Sequence, residues 1–301
     1  MERREFKMNP SQILIVPKIS KVQHDMRRMN FDKIQLVEFY KKEKLHVDRI
    51  FESHDRQVHA LETIKKHLPH VRVVNRNEIT KDLVSKYKLV ITLGGDNHFQ
   101  YVSHFIKDSL ILGINNDPER SEGALNSITS NEIESVIPKI LDDDFKIETW
   151  TRLETSVEDI TISTLAVSEI YIGEESRYTM SRHQLIHNND VEEQKGSGLL
   201  ISTGAGSTGW FDSAIRYLHP NGKVISRDAK EVQFLLTEPH KGKFSIYKMT
   251  HGIIKENDVF EIISLNDSDG VLLIDSLEKI KIKEGSKIKI KLGEKLRVVN
   301  F

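Results

Sequence analysis

The stretch Leu89-Val90-Ile91-Thr92-Leu93-Gly94-Gly95-Asp96-Asn97 decides how the first part of this chain reads. An apolar run without alternation fits a strand buried on both faces, as in a parallel sheet. It stops at two glycines and an acidic residue, and apolar residues then return as Phe99, Val102, Phe105 and Ile106, at helical spacing. Upstream, residues 13–17 read as another short buried strand. Asp32 is placed to cap a helix to about Leu45, and Val58, Leu61, Ile64 and Leu68 form one stripe on a helix over 54–68. Strands over 71–74 and 110–114 and a short helix over 81–87 complete an alternation that predicts an α/β domain with a parallel sheet. All 16 glycines lie at or after Gly94. Elements that only pack need no left-handed backbone, and turns such as Asn75-Arg76-Asn77 use Asn instead.

Beyond Asp144 the apolar period changes to two. Candidate strands lie at 145–154, 160–172, 178–187, 198–202, 231–237, 243–249, 259–265 and 271–274, with one helix over 207–218. Many short strands with turns between them predict a mostly antiparallel β domain. From Glu278 onward Lys alternates with Ile, which reads as an edge hairpin with a solvated basic face. Interleaved aromatics, the mark of a nucleic-acid stripe, are missing.

Composition excludes several classes. Zero Cys removes disulfide scaffolds, thiolate metal sites and cysteine nucleophiles. Lys+Arg at 44 against Asp+Glu at 45 gives no net basic face for nucleic acid. No apolar run approaches the ~18 residues of a membrane span, and residues 1–18 lack a signal-peptide core. The expectation is a soluble, cytoplasmic protein with neither nucleic acid nor membrane as partner. The 13 His show no metal-ligand spacing, so no metal ligands are expected.

Three segments carry chemistry. Gly94-Gly95-Asp96-Asn97 stands where ligands bind in open α/β sheets, beyond a strand's carboxyl end. The helix that follows offers free N–H groups to phosphate, and Asp96 can take a proton from a hydroxyl; the plain alternative is a tight turn with a capping side chain. Gly204-Ala205-Gly206-Ser207-Thr208-Gly209 matches G-x-G-x-x-G, with Asp228 downstream. It lies in the β-rich region, so a nucleotide-holding Gly/Ser/Thr loop or a structural turn competes with a Rossmann fingerprint. Residues 115–123 follow the strand over 110–114, and Arg120 there is either a phosphate contact or part of a surface ion pair.

In this order, Gly94–Asp96, Asp117-Pro118-Glu119-Arg120-Ser121-Glu122-Gly123, and Gly196-Ser197-Gly198-Leu199 running into residues 203–210 resemble the NAD kinase family. The resemblance is closest to its mitochondrial NAD kinase and NADH kinase branch. It implies an α/β domain over 1–144, a β-rich dinucleotide-binding domain over 145–276, and a tail over 277–301 that packs back on the first. It implies ATP-dependent phosphorylation of NAD(H), with Mg²⁺, by a homodimer or larger homo-oligomer. Carried over, Asp96 is the base on the 2′-hydroxyl, and Gly94, Gly95 and Asn97 meet the donor phosphates. Ser168 and Glu169 fall on the family's Asn-Glu pair, and Thr208, Gly209, Trp210 and Ser213 on the segment that holds the dinucleotide. Asn97 replaces the last Gly of Gly-Gly-Asp-Gly, Ser168 replaces Asn, and Trp210 stands where many bacterial members have Tyr. Asn tolerates the left-handed backbone that a Gly turn can require. A same-fold kinase for a lipid or sugar hydroxyl, or a silent NAD-binding sensor, are the alternatives.

Overall fold

The computed structural model describes residues 8–218, 224–240, 242 and 246–301. Contacts divide the chain into two compact units, Met1–Glu148 with Arg297–Phe301, and Thr149–Leu296.

The first unit contains β1 (Ile13–Pro17), α1 (Lys21–Met29), α2 (Lys33–Lys42), α3 (Val47–His67), β2 (Arg72–Val73), α4 (Lys81–Val84), β3 (Leu89–Leu93), α5 (Asp96–Ser103), β4 (Leu110–Asn115), β5 (Ile128–Thr129) and α6 (Ile133–Leu141). Its strands pair in parallel in the order β2-β1-β3-β4, and β5 also pairs with β4. Every residue of β3 and β4 is buried, so the unbroken apolar run is a strand covered on both faces. One core joins Ile13, Ile15, Ile91 and Leu112 to Ala60 and Ile64 of α3 and Ile137 and Ile140 of α6. Each such aliphatic side chain contributes about 1.5–3 kcal/mol by burial.

Two helices differ from the sequence reading. The α1 helix is largely polar and gives no apolar stripe in the sequence, yet Ser20 caps it with a capping box to Gln23. Its Val22 packs with Leu36 and Tyr40 of α2 in a small core of its own. The α3 helix begins at Val47 rather than His54, without a side-chain cap to announce it. Asp32 does cap α2, accepting from the Gln35 amide.

The second unit holds β6 (Lys146–Val157), which starts just before it, then β7 (Ile160–Thr161), β8 (Glu169–Glu174), β9 (Ser181–His187), β10 (Asp190–Gly196), β11 (Leu199–Ser202), α7 (Trp210–Leu218), β12 (Glu231–Leu236), β13 (His251–Lys255), β14 (Phe260–Ser264), β15 (Gly270–Ile274), β16 (Glu278–Lys281) and most of β17 (Lys287–Asn300). An antiparallel six-stranded sheet runs β13-β12-β11-β8-β15-β16. Strands β10, β9, β14 and β17 pair antiparallel in a second layer. Ile170, Ile201, Phe234 and Leu272 of the first layer share a core with Leu185, Phe260, Ile262 and Ile288 of the second.

The tail is not one edge hairpin. The β16 strand pairs with β15, whereas β17 pairs with β14 through Lys289↔Glu261 and reaches Ile111 through Val298. Only Arg297–Phe301 groups with the first unit, and the boundary near residue 144 falls instead inside β6, between Glu148 and Thr149. The Ile/Lys alternation buries Ile288 and Ile290 and turns the lysines outward, where Lys289 pairs with Asp159 at 2.7 Å and Lys291 with Glu154 at 2.9 Å. These lysines are matched by acids of their own chain. The candidate strand over 243–249 falls partly outside the described residues, and its remaining part, 246–249, forms no strand.

Candidate functional site

In the first unit, Gly94 and Gly95 link β3 to α5. Neither has positive φ. Gly94 is required for closeness: a Cβ there would sit 2.9 Å from the His98 side chain. That imidazole is buried, and its Nε2–H donates to the Val16 carbonyl at 2.8 Å. Burial pushes it down to about 4, so it stays neutral and ties α5 to β1.

Asp96 opens α5, with Gly95 as an N-cap that makes no side-chain hydrogen bond. Its carboxylate accepts the Ala124 amide at 3.0 Å, the Leu125 amide at 2.8 Å and the Asn126 side-chain amide at 3.1 Å. Three donors fix both oxygens, yet the residue stays partly exposed. These donors were not expected from the sequence, since they lie 28 to 30 residues downstream and two are backbone groups.

Asn97 corrects an expectation. It is the second residue of α5, exposed, and has no left-handed φ, so no glycine is needed there. Asn97→Gly is therefore expected to destabilise by about 0.3 kcal/mol through helix entropy, since Asn itself is a weak helix former. A thermal melt checks this; a stabilised variant would contradict the helical assignment.

The segment after β4 is self-braced. The Asn115 side chain accepts the Asp117 amide at 3.1 Å and donates to the Ser121 carbonyl at 2.7 Å. From α3, Ser53 Oγ donates to Asp117 at 2.5 Å and Arg56 Nε at 2.8 Å. Arg120 pairs with Glu52 at 2.9 Å and donates to the Arg49 carbonyl, so its guanidinium is held by α3. A cavity of about 370 Å³ opens here, lined by Lys18, Lys21, His54, Gly95, Asn116 and Arg120, among others. Lys18 lines it beside the start of α5, where free N–H groups suit an anion, while Lys21 pairs with Asp25, Arg120 with Glu52, and Asp117 also lines it.

In the second unit, Ser168 and Glu169 lie at the start of β8, buried to 2% and 7% exposure. The Asp275 carboxylate, beyond the end of β15, accepts the Val167 amide at 2.9 Å, the Ser168 amide at 2.8 Å and the Glu169 amide at 3.0 Å. Burial first, and then the Asp275 charge, push the Glu169 carboxyl up to about 8.

Residues 203–210 lie against this turn. The Thr203 hydroxyl donates to the Val167 carbonyl at 2.6 Å, and its amide to the Ser168 carbonyl at 2.9 Å. A Cβ on Gly206 would come within 2.7 Å of the Ser168 carbonyl carbon and 2.5 Å of Ser202 Oγ. Thr208, Gly209 and Ser213 are exposed, while Trp210 is half-buried, stacked on Tyr171 with centroids 5.4 Å apart and under the Arg177 guanidinium. So the structure gathers Gly94, Gly95, Asp96 and Asn97 in one unit. It gathers Ser168, Glu169, Thr208, Gly209, Trp210 and Ser213 in the other.

No family model matches the chain. Among curated proteins it is 24% identical over 220 residues to the "Probable NADH kinase" of Oryza sativa subsp. japonica, covering 66% of each. It is 28% identical over 210 residues to the "NAD kinase" of Clostridium perfringens strain 13, covering 68% of this chain and 71% of that one. The "NADH kinase" of Arabidopsis thaliana is 27% identical over 228 residues, covering 68% of this chain and 69% of that one. Over about two thirds of its length the chain is thus similar to NAD kinases and NADH kinases. The solved structure of an NAD kinase from Archaeoglobus fulgidus in complex with ATP matches 96% of this chain and 92% of that one, at TM-score 0.62 and 18% identity. That likeness gives the NAD kinase two-domain fold. It also settles the G-x-G-x-x-G match as no Rossmann fingerprint. Here β11 runs antiparallel to both neighbours, and the exposed Asp228 carboxylate accepts the Ser226 hydroxyl.

Proposed function

We propose that this chain transfers the γ-phosphoryl group of ATP to the 2′-hydroxyl of the adenosine ribose of NAD(H), giving NADP(H) and ADP. The observation that carries the reading is Asp96, a partly exposed carboxylate fixed by three donors at the start of α5, beside two glycines and a cavity that Gly95 lines. Phosphoryl transfer is mostly positioning and charge neutralisation. Asp96 takes the proton from the 2′-hydroxyl as its oxygen bonds to the γ-phosphorus, and the bond to the β–γ bridging oxygen breaks. Gly94 and Gly95 let the backbone meet the donor phosphates, with Asn97 at the helix start. Lys18 supplies positive charge at the same cavity, where Lys21 and Arg120 are paired with Asp25 and Glu52.

Among the described residues no group of three or more His, Asp or Glu is placed to hold a metal ion. Magnesium keeps several waters and favours one or two carboxylates plus substrate phosphates. ATP therefore enters as its Mg²⁺ complex, with Asp96 the carboxylate nearest the phosphate turn. Ser168, Glu169, Thr208, Gly209, Trp210 and Ser213 hold the dinucleotide. The chain works as a homodimer or larger in the cytoplasm, which sedimentation and cell fractionation read directly.

The test is NADP(H) formation from ATP, Mg²⁺ and NAD or NADH, measured with a coupled dehydrogenase. ATP hydrolysis or lipid phosphorylation without NADP(H) would overturn the reading.

Glu169 adds a pH signature. Raised from an ordinary 4.5 to about 8, its carboxyl binds more protons in the folded chain than in the unfolded one. Its contribution to stability is full below the ordinary value and falls as pH climbs towards the raised one. Neutral at pH 7, it becomes a buried anion near Asp275 and the dinucleotide pyrophosphate at higher pH. NAD(H) affinity is expected to weaken above pH about 8, and Glu169→Gln to flatten that step. Titration calorimetry across this range measures it, and a flat wild-type profile would remove Glu169 from the dinucleotide site.

A further inference from the structure

The dinucleotide segment is clamped by a residue that no sequence motif singled out. Asp275 is 1% exposed and follows the last residue of β15. Its carboxylate accepts three successive amides, from Val167, Ser168 and Glu169, at 2.8–3.0 Å. Its own amide donates back to the Glu169 carbonyl at 2.9 Å. Asp275 and Ser276 both have left-handed backbone, with φ of 50° and 56°, and the Leu277 amide closes the turn onto the Ile274 carbonyl at 3.0 Å. Two adjacent non-glycine residues in this region carry backbone strain, which persists where surrounding contacts over-determine it. Here the contacts include the four hydrogen bonds of Asp275 and the one from the Leu277 amide. Three of this buried carboxylate's roughly four acceptor sites are filled this way, which fixes the direction in which the Ser168 and Glu169 side chains leave the strand. The Arg152 guanidinium, also buried, feels the Asp275 charge from β6.

We propose that Asp275 is a positioning residue for NAD(H): it holds the Ser168–Glu169 turn in the form that receives the dinucleotide, and it takes no part in phosphoryl transfer. The inference rests on the reading that Ser168 and Glu169 contact NAD(H).

The experiment is steady-state kinetics of Asp275→Asn with both substrates varied, beside Ser276→Gly as a control. Losing a charge-assisted acceptor for three amides is expected to raise KM for NAD(H) about tenfold or more. The kcat at saturating NAD(H) and the KM for ATP are expected to stay within about threefold. Ser276→Gly keeps the carboxylate and removes a left-handed side chain, so KM for NAD(H) stays at the wild-type value. A role in folding alone would lower the active fraction and leave KM untouched. Should Asp275→Asn not fold, the wild-type amides decide: Val167, Ser168 and Glu169 are expected to exchange slowly with solvent, and fast exchange at all three overturns the clamp. An unchanged KM for NAD(H) in a folded Asp275→Asn overturns this inference alone. Wild-type protein that forms no NADP(H) overturns the functional reading, and the inference with it.

Discussion

Asp96→Asn is expected to lower kcat for NADP(H) formation by about 10²–10⁴-fold, the usual worth of a general base, with the Kd for NAD(H) little changed. The substitution keeps the shape of the side chain and removes its basicity. It does not leave the surroundings neutral. Asp96 now accepts from Ala124, Leu125 and Asn126, and an amide can satisfy only the donors on one side. Its new N–H₂ group would face another donor, at a cost of about 1–3 kcal/mol in stability. A melt measures that cost separately from the rate. If kcat falls while NAD(H) and ATP still bind, the loss lies in chemistry. If kcat stays within about tenfold, too little for a base, Asp96 is a structural cap for the turn over residues 124–126.

What the sequence made legible follows the range of the interactions. The parallel strands were readable because burial on both faces leaves no polar residue to break the run, as in β3 and β4. The α1 helix was not, because its apolar positions meet α2 rather than the main core. The Ile/Lys tail showed its strands but not their partners, since alternation says which residues are buried and nothing about which strand lies alongside. At the proposed site, Gly94, Gly95 and Asp96 form a local pattern of strand, glycines and carboxylate that is visible in the sequence. Asn97 was misread in one respect: a substituted glycine implied a left-handed turn, whereas the helix had already begun. The donors to Asp96 and the clamp from Asp275 were out of reach. The second joins residues 106 to 108 positions apart through backbone amides, which no side-chain pattern records.

The second large effect is expected from Gly206→Ala. A single methyl group at this position would meet the Ser168 carbonyl and the Ser202 hydroxyl at distances that real side chains do not adopt. The Ser168 carbonyl cannot retreat freely. The Ser168 carbonyl is already the acceptor for the Thr203 amide, and the Ser168 amide is bound to Asp275. Overpacking of this kind costs about 1–3 kcal/mol, read as a lower melting temperature. The larger consequence is for ligand. Displacing Ser168 and Glu169 by a fraction of an ångström to an ångström from the positions proposed to hold the dinucleotide is expected to cut kcat/KM for NAD(H) by about 10²-fold. Thr208→Ala separates the two effects. That residue is exposed, and among the described residues its hydroxyl reaches the Ala205 carbonyl, at 3.4 Å, so its melt should stay within about 0.5 kcal/mol of wild type. A few-fold rise in KM for NAD(H) there, with the melt unchanged, would mark ligand contact rather than packing. If Gly206→Ala lowers the melt yet keeps a wild-type kcat/KM for NAD(H), then residues 203–210 are only a turn between β11 and α7. The dinucleotide would then have to be held elsewhere.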